Sequence, residues 1–82
     1  MPRLDVLLFA SYAEAFGAPT VTVDLASDAT VADLVDALRA HPRGGALLPA
    51  RPLVAVDRAY AAAGDPVIGR GEVALIPPVA GG

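Results

Sequence analysis

The stretch from Ser27 to Pro42, SDATVADLVDALRAHP, is the one long helical pattern in the chain. Thr30 and Asp33 have the form of a capping box with aspartate in the glutamate position, and Val31, Leu34, Val35 and Leu38 recur at helical spacing. Pro42 closes the pattern. The opposite side carries Asp33, Asp36 and Arg39, a solvated face rather than a functional one. A single amphipathic helix must bury its stripe against another layer, and in 82 residues the remaining runs can supply only a sheet.

Those runs are strand-like. In RLDVLLFA, Leu4, Val6 and Leu8 fall on one side and Asp5, Leu7 and Phe9 on the other, which predicts a first strand. SYAEAFG gives a short helical turn capped by Gly17. PTVTVDL alternates again, with Val21, Val23 and Leu25 opposite Thr20, Thr22 and Asp24, and predicts a second strand paired with the first. After the helix, RGGALLPAR is a glycine-opened loop with a small apolar anchor at Leu47 and Leu48, and PLVAV is a third strand. Asp57, Arg58 and Ala59 turn the chain toward a very short strand near Tyr60. A tight turn over Gly69 to Gly71 then feeds a last strand from Glu72 to Ile76. The order ββαβ(β)β predicts the α+β class and the β-grasp layout, a mixed sheet of four to five strands packed on one main helix. In that layout the first and last strands lie side by side at the centre.

The helix covers one face of such a sheet. If Leu4, Val6, Leu8, Val73 and Leu75 point to it, Leu7, Phe9, Ala74 and Ile76 fall on the other face, where a solvated sheet would alternate to polar residues. Phe9 and Ile76 then gather into one patch with Tyr60 at its margin. Contiguous apolar surface of this kind marks a partner site. The competing reading is that the short helix at Ser11 to Phe16, or a loop, covers it.

Composition removes several chemistries. The chain has no cysteine, so it has no disulfide, thiolate metal site or thiol nucleophile, and any sulfur it handles is borrowed. It has no lysine either: all six cationic side chains are arginines, leaving no side-chain amine to accept an acyl group or form a Schiff base. Those arginines are scattered and the net charge is −3, which argues against nucleic acid as a partner. No apolar stretch reaches the length of a membrane span, and MPRLDVLLFA runs on without a signal-type cleavage pattern, so a cytoplasmic protein is expected. His41, the one histidine, has no Asp or Ser at catalytic spacing and reads as a solvated cap of the helix. The acidic residues lack companion ligands for a metal, and Gly44-Gly45 and Gly69-Arg70-Gly71 lack the pattern of a phosphate loop. Alone, the chain presents no catalytic machinery.

What remains is its end, VALIPPVAGG. Pro77 and Pro78 fix φ and bias the chain toward an extended path away from the body, and the two glycines leave that path bare. Residues 1–78 are therefore expected to form the domain and residues 79–82 a flexible Gly-Gly tail. Such an end can enter a narrow channel and present a terminal carboxylate to chemistry.

VLLFASYAEAFG, ATVADLVDAL, VAVDRAY and GEVALIPPVAGG together resemble the MoaD/ThiS family of ubiquitin-like sulfur carriers, in particular its molybdopterin synthase small subunits. The likeness covers nearly the whole chain in order, and the proline-linked terminal motif is its most specific part. It implies that the Gly82 carboxylate is adenylated by an activating enzyme using ATP and Mg, and is then converted to a thiocarboxylate. The sulfur passes to a pterin precursor in a complex with the large catalytic subunit, so the carrier needs no bound cofactor of its own. Partner contacts are expected through the patch of Phe9, Tyr60 and Ile76 and through the tail residues Pro77, Pro78, Val79, Ala80 and Gly81. Ala80 stands where the family often has Ser or Thr, and Asp57 where Asn is common. Carriers for thiamine or cysteine synthesis, a ubiquitin-like modifier that joins Gly82 to a target lysine, and a plain binding module with an inert tail are the alternatives.

Overall fold

The structure, a computed structural model, describes residues 2–78. The readings made at Val79, Ala80, Gly81 and Gly82 lie outside the described residues. In chain order the elements are β1 (Arg3–Leu8), α1 (Ala10–Phe16), β2 (Thr20–Asp24), α2 (Val31–Arg39), a 3-10 turn (Gly45–Leu47), β3 (Leu53–Val56), β4 (Ala59–Tyr60) and β5 (Val73–Ile76). The strands form one sheet in the order β2-β1-β5-β3-β4. β1 and β5 are parallel, and every other pairing is antiparallel. This is the β-grasp arrangement that the element order predicts, with the first and last strands adjacent.

The core lies between the sheet and α2. Val31, Leu34, Val35 and Leu38 are all buried against Val6, Leu8, Val21, Val23, Val54, Val73 and Leu75. The helix starts as its sequence requires: the Thr30 hydroxyl accepts from the Asp33 N–H, and the Asp33 carboxylate accepts from the Thr30 N–H at 2.9 Å. Two further first-turn N–H groups, of Val31 and Ala32, donate to the carbonyls of Asp65 and Ala63. The 61–68 segment thus caps α2, which satisfies donors that a helix start leaves open. Its Val67 is fully buried, a core residue with no periodic signal to announce it.

Three expectations are corrected. Leu47 is not an anchor: it is 72% exposed, and its neighbour Leu48 alone is buried, because the 3-10 turn sends adjacent side chains in different directions. The first strand ends at Leu8, and Phe9 is the extended N-cap residue of α1. His41 is not a free solvated cap. Its ring packs against Phe16 in a tilted contact, with centroids 5.2 Å apart and planes at 52°, and its Nδ1 accepts from the Arg43 N–H at 3.1 Å. Gly45 allows this corner to close, since a Cβ there would lie 2.4 Å from the Arg39 carbonyl oxygen.

Candidate functional site

Strand register fixes which residues share the sheet face that α2 leaves open. One row crosses all five strands: Thr20 pairs with Leu7, Leu7 with Ala74, Ala74 with Ala55, and Ala55 with Tyr60. Toward the start of β1 the same face is polar. Arg3 pairs with Asp24 through a 3.4 Å ion pair, and the Thr22 hydroxyl donates to Asp5 at 2.6 Å. Toward the end of β5 it is apolar, with Ile76 paired to Leu53. Phe9, Leu53 and Tyr60 are 47%, 45% and 71% exposed. The face is thus divided along the strands, and its apolar half lies where β5 runs out into Pro77 and Pro78.

The structure therefore brings Phe9, Tyr60 and Ile76 together as expected. They line one shallow groove of about 330 Å³ whose remaining walls are Ala55, Arg58, Glu72 and Ala74. Ala74 is on the expected face but is 2% exposed: a methyl group between Leu7 and Ala55 forms the floor of the groove. The alternative cover is absent among the described residues. α1 turns Tyr12 and Phe16 into the main core, where burial raises the Tyr12 pKa, and leaves the groove open. Pro77 is half-buried and Pro78 exposed.

Sequence reasoning missed Leu53, Arg58 and Glu72. In LVAV all four residues are apolar, so no alternation tells which face Leu53 takes; only its pairing with Ile76 does. Arg58 is placed by the β3–β4 hairpin. Asp57 and Arg58 form its two-residue loop with φ of 51° and 69°, the sign pattern of a type I′ turn, which ordinarily uses Asn-Gly. The Asp57 carboxylate accepts from the Glu72 N–H at 2.9 Å, and the Asp57 N–H donates to the Glu72 carbonyl at 2.8 Å. These bonds tie the hairpin tip to the start of β5 and hold Arg58 at the groove. A left-handed arginine carries strain that glycine would not. Arg58→Gly is therefore expected to stabilise the fold by roughly 0.5–1 kcal/mol, read as a rise of a few degrees in the thermal midpoint. An unchanged or lower midpoint would show that the side chain contributes more than its backbone strain costs.

A β-grasp unit with an apolar open face, in a chain whose sequence carries a Gly-Gly end, belongs among the ubiquitin-like carriers and modifiers. The chain is a member of the ThiS family, whose profile matches residues 6–82. It is 42% identical over 84 residues to small archaeal modifier protein 1 of Haloferax volcanii, covering 92% of this chain and 95% of that protein. A crystal structure of that modifier superposes with a TM-score of 0.75 at 37% identity, over 94% of this chain and 98% of that one. A Pyrococcus furiosus protein provisionally described as subunit 1 of a molybdopterin converting factor shares the fold, with a TM-score of 0.74 at 19% identity over 94% and 98% of the two chains. No helix among the described residues is long and apolar enough to cross a membrane.

Proposed function

We propose that this chain is the sulfur-carrying small subunit of a molybdopterin synthase. The Gly82 carboxylate attacks the α-phosphate of ATP on an activating enzyme that uses Mg, pyrophosphate leaves, and an acyl-adenylate forms. Hydrosulfide supplied by a partner then attacks the carbonyl carbon, the C–O bond to AMP breaks, AMP leaves, the sulfur's proton passes to solvent, and the thiocarboxylate remains. Adenylation is needed because a carboxylate is a poor acyl donor, and the sulfur must come from outside because the chain has no cysteine. The large catalytic subunit accepts the tail and directs the sulfur to a pterin precursor.

The observation that supports this reading is the division of the open face. Its apolar half, with Phe9, Leu53, Tyr60 and Ile76, lies at the end of the sheet from which the tail departs. A partner seated there takes the tail directly into its own active site: Val79 to Gly82 can span only ~13 Å at ~3.3 Å per residue. The modifier reading rests on the 42% identity to small archaeal modifier protein 1 and uses the same activated Gly82, with a lysine amine in place of the sulfur nucleophile.

The test starts from the chain bearing a chemically prepared Gly82 thiocarboxylate, mixed with the large synthase subunit from the same source and the pterin precursor. Stoichiometric loss of sulfur from Gly82 with formation of the dithiolene product is expected. No transfer in that mixture, together with Gly82 recovered on lysines of other proteins in cells, would move the assignment to the modifier.

A further inference from the structure

Arginines that are scattered along the sequence are sorted by the fold. β1 and β5 run parallel while β2 and β3 run against them. The end of the sheet where β5 gives way to Pro77 and Pro78 therefore also holds the start of β3 and the connection from α1 to β2. α2 finishes there too. Just beyond Arg39, the His41 ring packs on Phe16 at the end of α1, and the Arg43 guanidinium lies over Gly17, where a Cβ would meet it at 2.5 Å. Arg51 comes two residues before Leu53, the partner of Ile76. Arg39, Arg43 and Arg51 are all exposed, and Glu14 is the one carboxylate on the described segments at that end.

The opposite end is acidic. Asp24 ends β2 and Asp28 follows it, Asp33 and Asp65 meet at the start of α2, and Asp57 is bonded to Glu72 just before β5. Only Arg3, Arg58 and Arg70 stand against them. With Asp5 and Asp36 midway, the net charge of −3 divides into a surplus of two positive charges at one end and of three negative charges at the other.

We propose that Arg39, Arg43 and Arg51 form a docking collar for acidic side chains of the activating enzyme, set around the opening that admits Gly82. The proposal rests on the activation of Gly82, which the carrier and modifier readings share. Among the described residues the one ion pair is Arg3–Asp24, at the far end, so the collar meets no carboxylate of its own domain. Helix electrostatics account for part of the pattern, since a cation is favoured in the last turn of α2 and at the C-cap of α1. Arg51 lies on no helix, and nothing within the domain explains a cation there. Through Leu53 the collar is continuous with the apolar groove, so one partner surface covers both. An anionic chain is repelled as a whole by an acidic partner; its charge separation turns the tail end forward, and steering of this kind acts on the rate of encounter. The three guanidiniums stand on separate segments of the body, which suits a rim of separate carboxylates rather than the single triphosphate that reacts with Gly82.

The experiment compares two variants of the full chain, Arg43→Gln/Arg51→Gln and Arg3→Gln/Arg70→Gln. Each removes two positive charges from the net −3, but from opposite ends. At low salt, stopped-flow association with the activating enzyme is expected to slow roughly tenfold for the first and by no more than about twofold for the second. Most of the difference should vanish at high salt. Equal slowing by both variants would reduce the effect to net charge and overturn the proposal. So would a raised KM for ATP with unchanged association, which would assign the cations to the nucleotide. Arg43 packs against Gly17, so Arg51→Glu is the second variant: it changes an exposed residue outside every helix and strand. It should melt as wild type does and associate as slowly as the first double variant; wild-type association would overturn the collar. Ile76→Asp separates this proposal from the reading it rests on. If Ile76→Asp weakens binding and the arginine variants do not, the collar falls and the activation of Gly82 stands. If the wild-type chain is neither bound nor activated, the reading of Gly82 falls and takes the collar with it.

Discussion

Deleting Gly81 and Gly82 is expected to abolish ATP-dependent activation while the thermal midpoint moves by no more than about 1 °C, the shift expected of a change worth ~0.2 kcal/mol in a domain of this size. The core explains the second half. Among the described residues every member of the buried cluster, from Val6 to Leu75, precedes Pro77, and that cluster already joins α2 to the sheet. The first half follows from the chemistry proposed for Gly82: without it the carboxylate ends two residues short of where the activating enzyme must place it, about 7 Å at ~3.3 Å per residue, and in-line attack on a phosphate tolerates no such offset. The measurement is pyrophosphate exchange with the activating enzyme beside a thermal melt. Activation that survives the deletion removes Gly82 from the mechanism; a melt lowered by many degrees makes the tail part of the fold.

Ile76→Asp is expected to weaken binding to both the activating enzyme and the large synthase subunit by roughly ten- to hundredfold, the loss typical of a carboxylate placed at the centre of an apolar contact. Ile76 is half-buried, pairs with Leu53 and walls the groove beside Phe9. An aspartate there would stay solvated in the free chain, since the groove is open, and would lose that water when a partner closes over it. The free domain should therefore still fold, with a native circular dichroism spectrum, while titration calorimetry reports the lost affinity. Equal affinity of wild type and variant for both partners would take the open face out of the docking role.

These two outcomes separate what was readable in the sequence from what was not. Period two in TVTVD and the Thr30-Asp33 box fixed β2 and the start of α2 because each is a local signal that the backbone must obey. Phe9, Tyr60 and Ile76 could be gathered into one patch because β-grasp order sets the two central strands side by side. The remainder depended on contacts distant in sequence. Leu53 has no polar neighbour in its strand to declare its face, and it joins the patch only through its register with β5. Ala74 is covered because the residues flanking it on β1 and β3 sit one strand away on each side. Val67 is buried by a segment that crosses the start of α2, and the Asp57-Arg58 turn takes the left-handed region without the glycine that would have marked it. The run of two prolines and two glycines stands out for a different reason: it is a property of the sequence itself and needs no tertiary contact, and the chemistry proposed for Gly82 rests on it.

The measurement that bears most directly on sulfur carriage is the intact mass of the chain purified from the cells that make it, under conditions in which the molybdenum cofactor is being synthesised. Replacement of one terminal oxygen by sulfur raises the mass by about 16 Da, and fragmentation should place the change on Gly82, where the activated acyl carbon is proposed to sit. That species, lost when the activating enzyme is deleted and absent from a Gly82-deleted chain, is the predicted result. A terminal carboxylate of unaltered mass under those conditions, with no sulfur-bearing form and no activating-enzyme dependence, would contradict it.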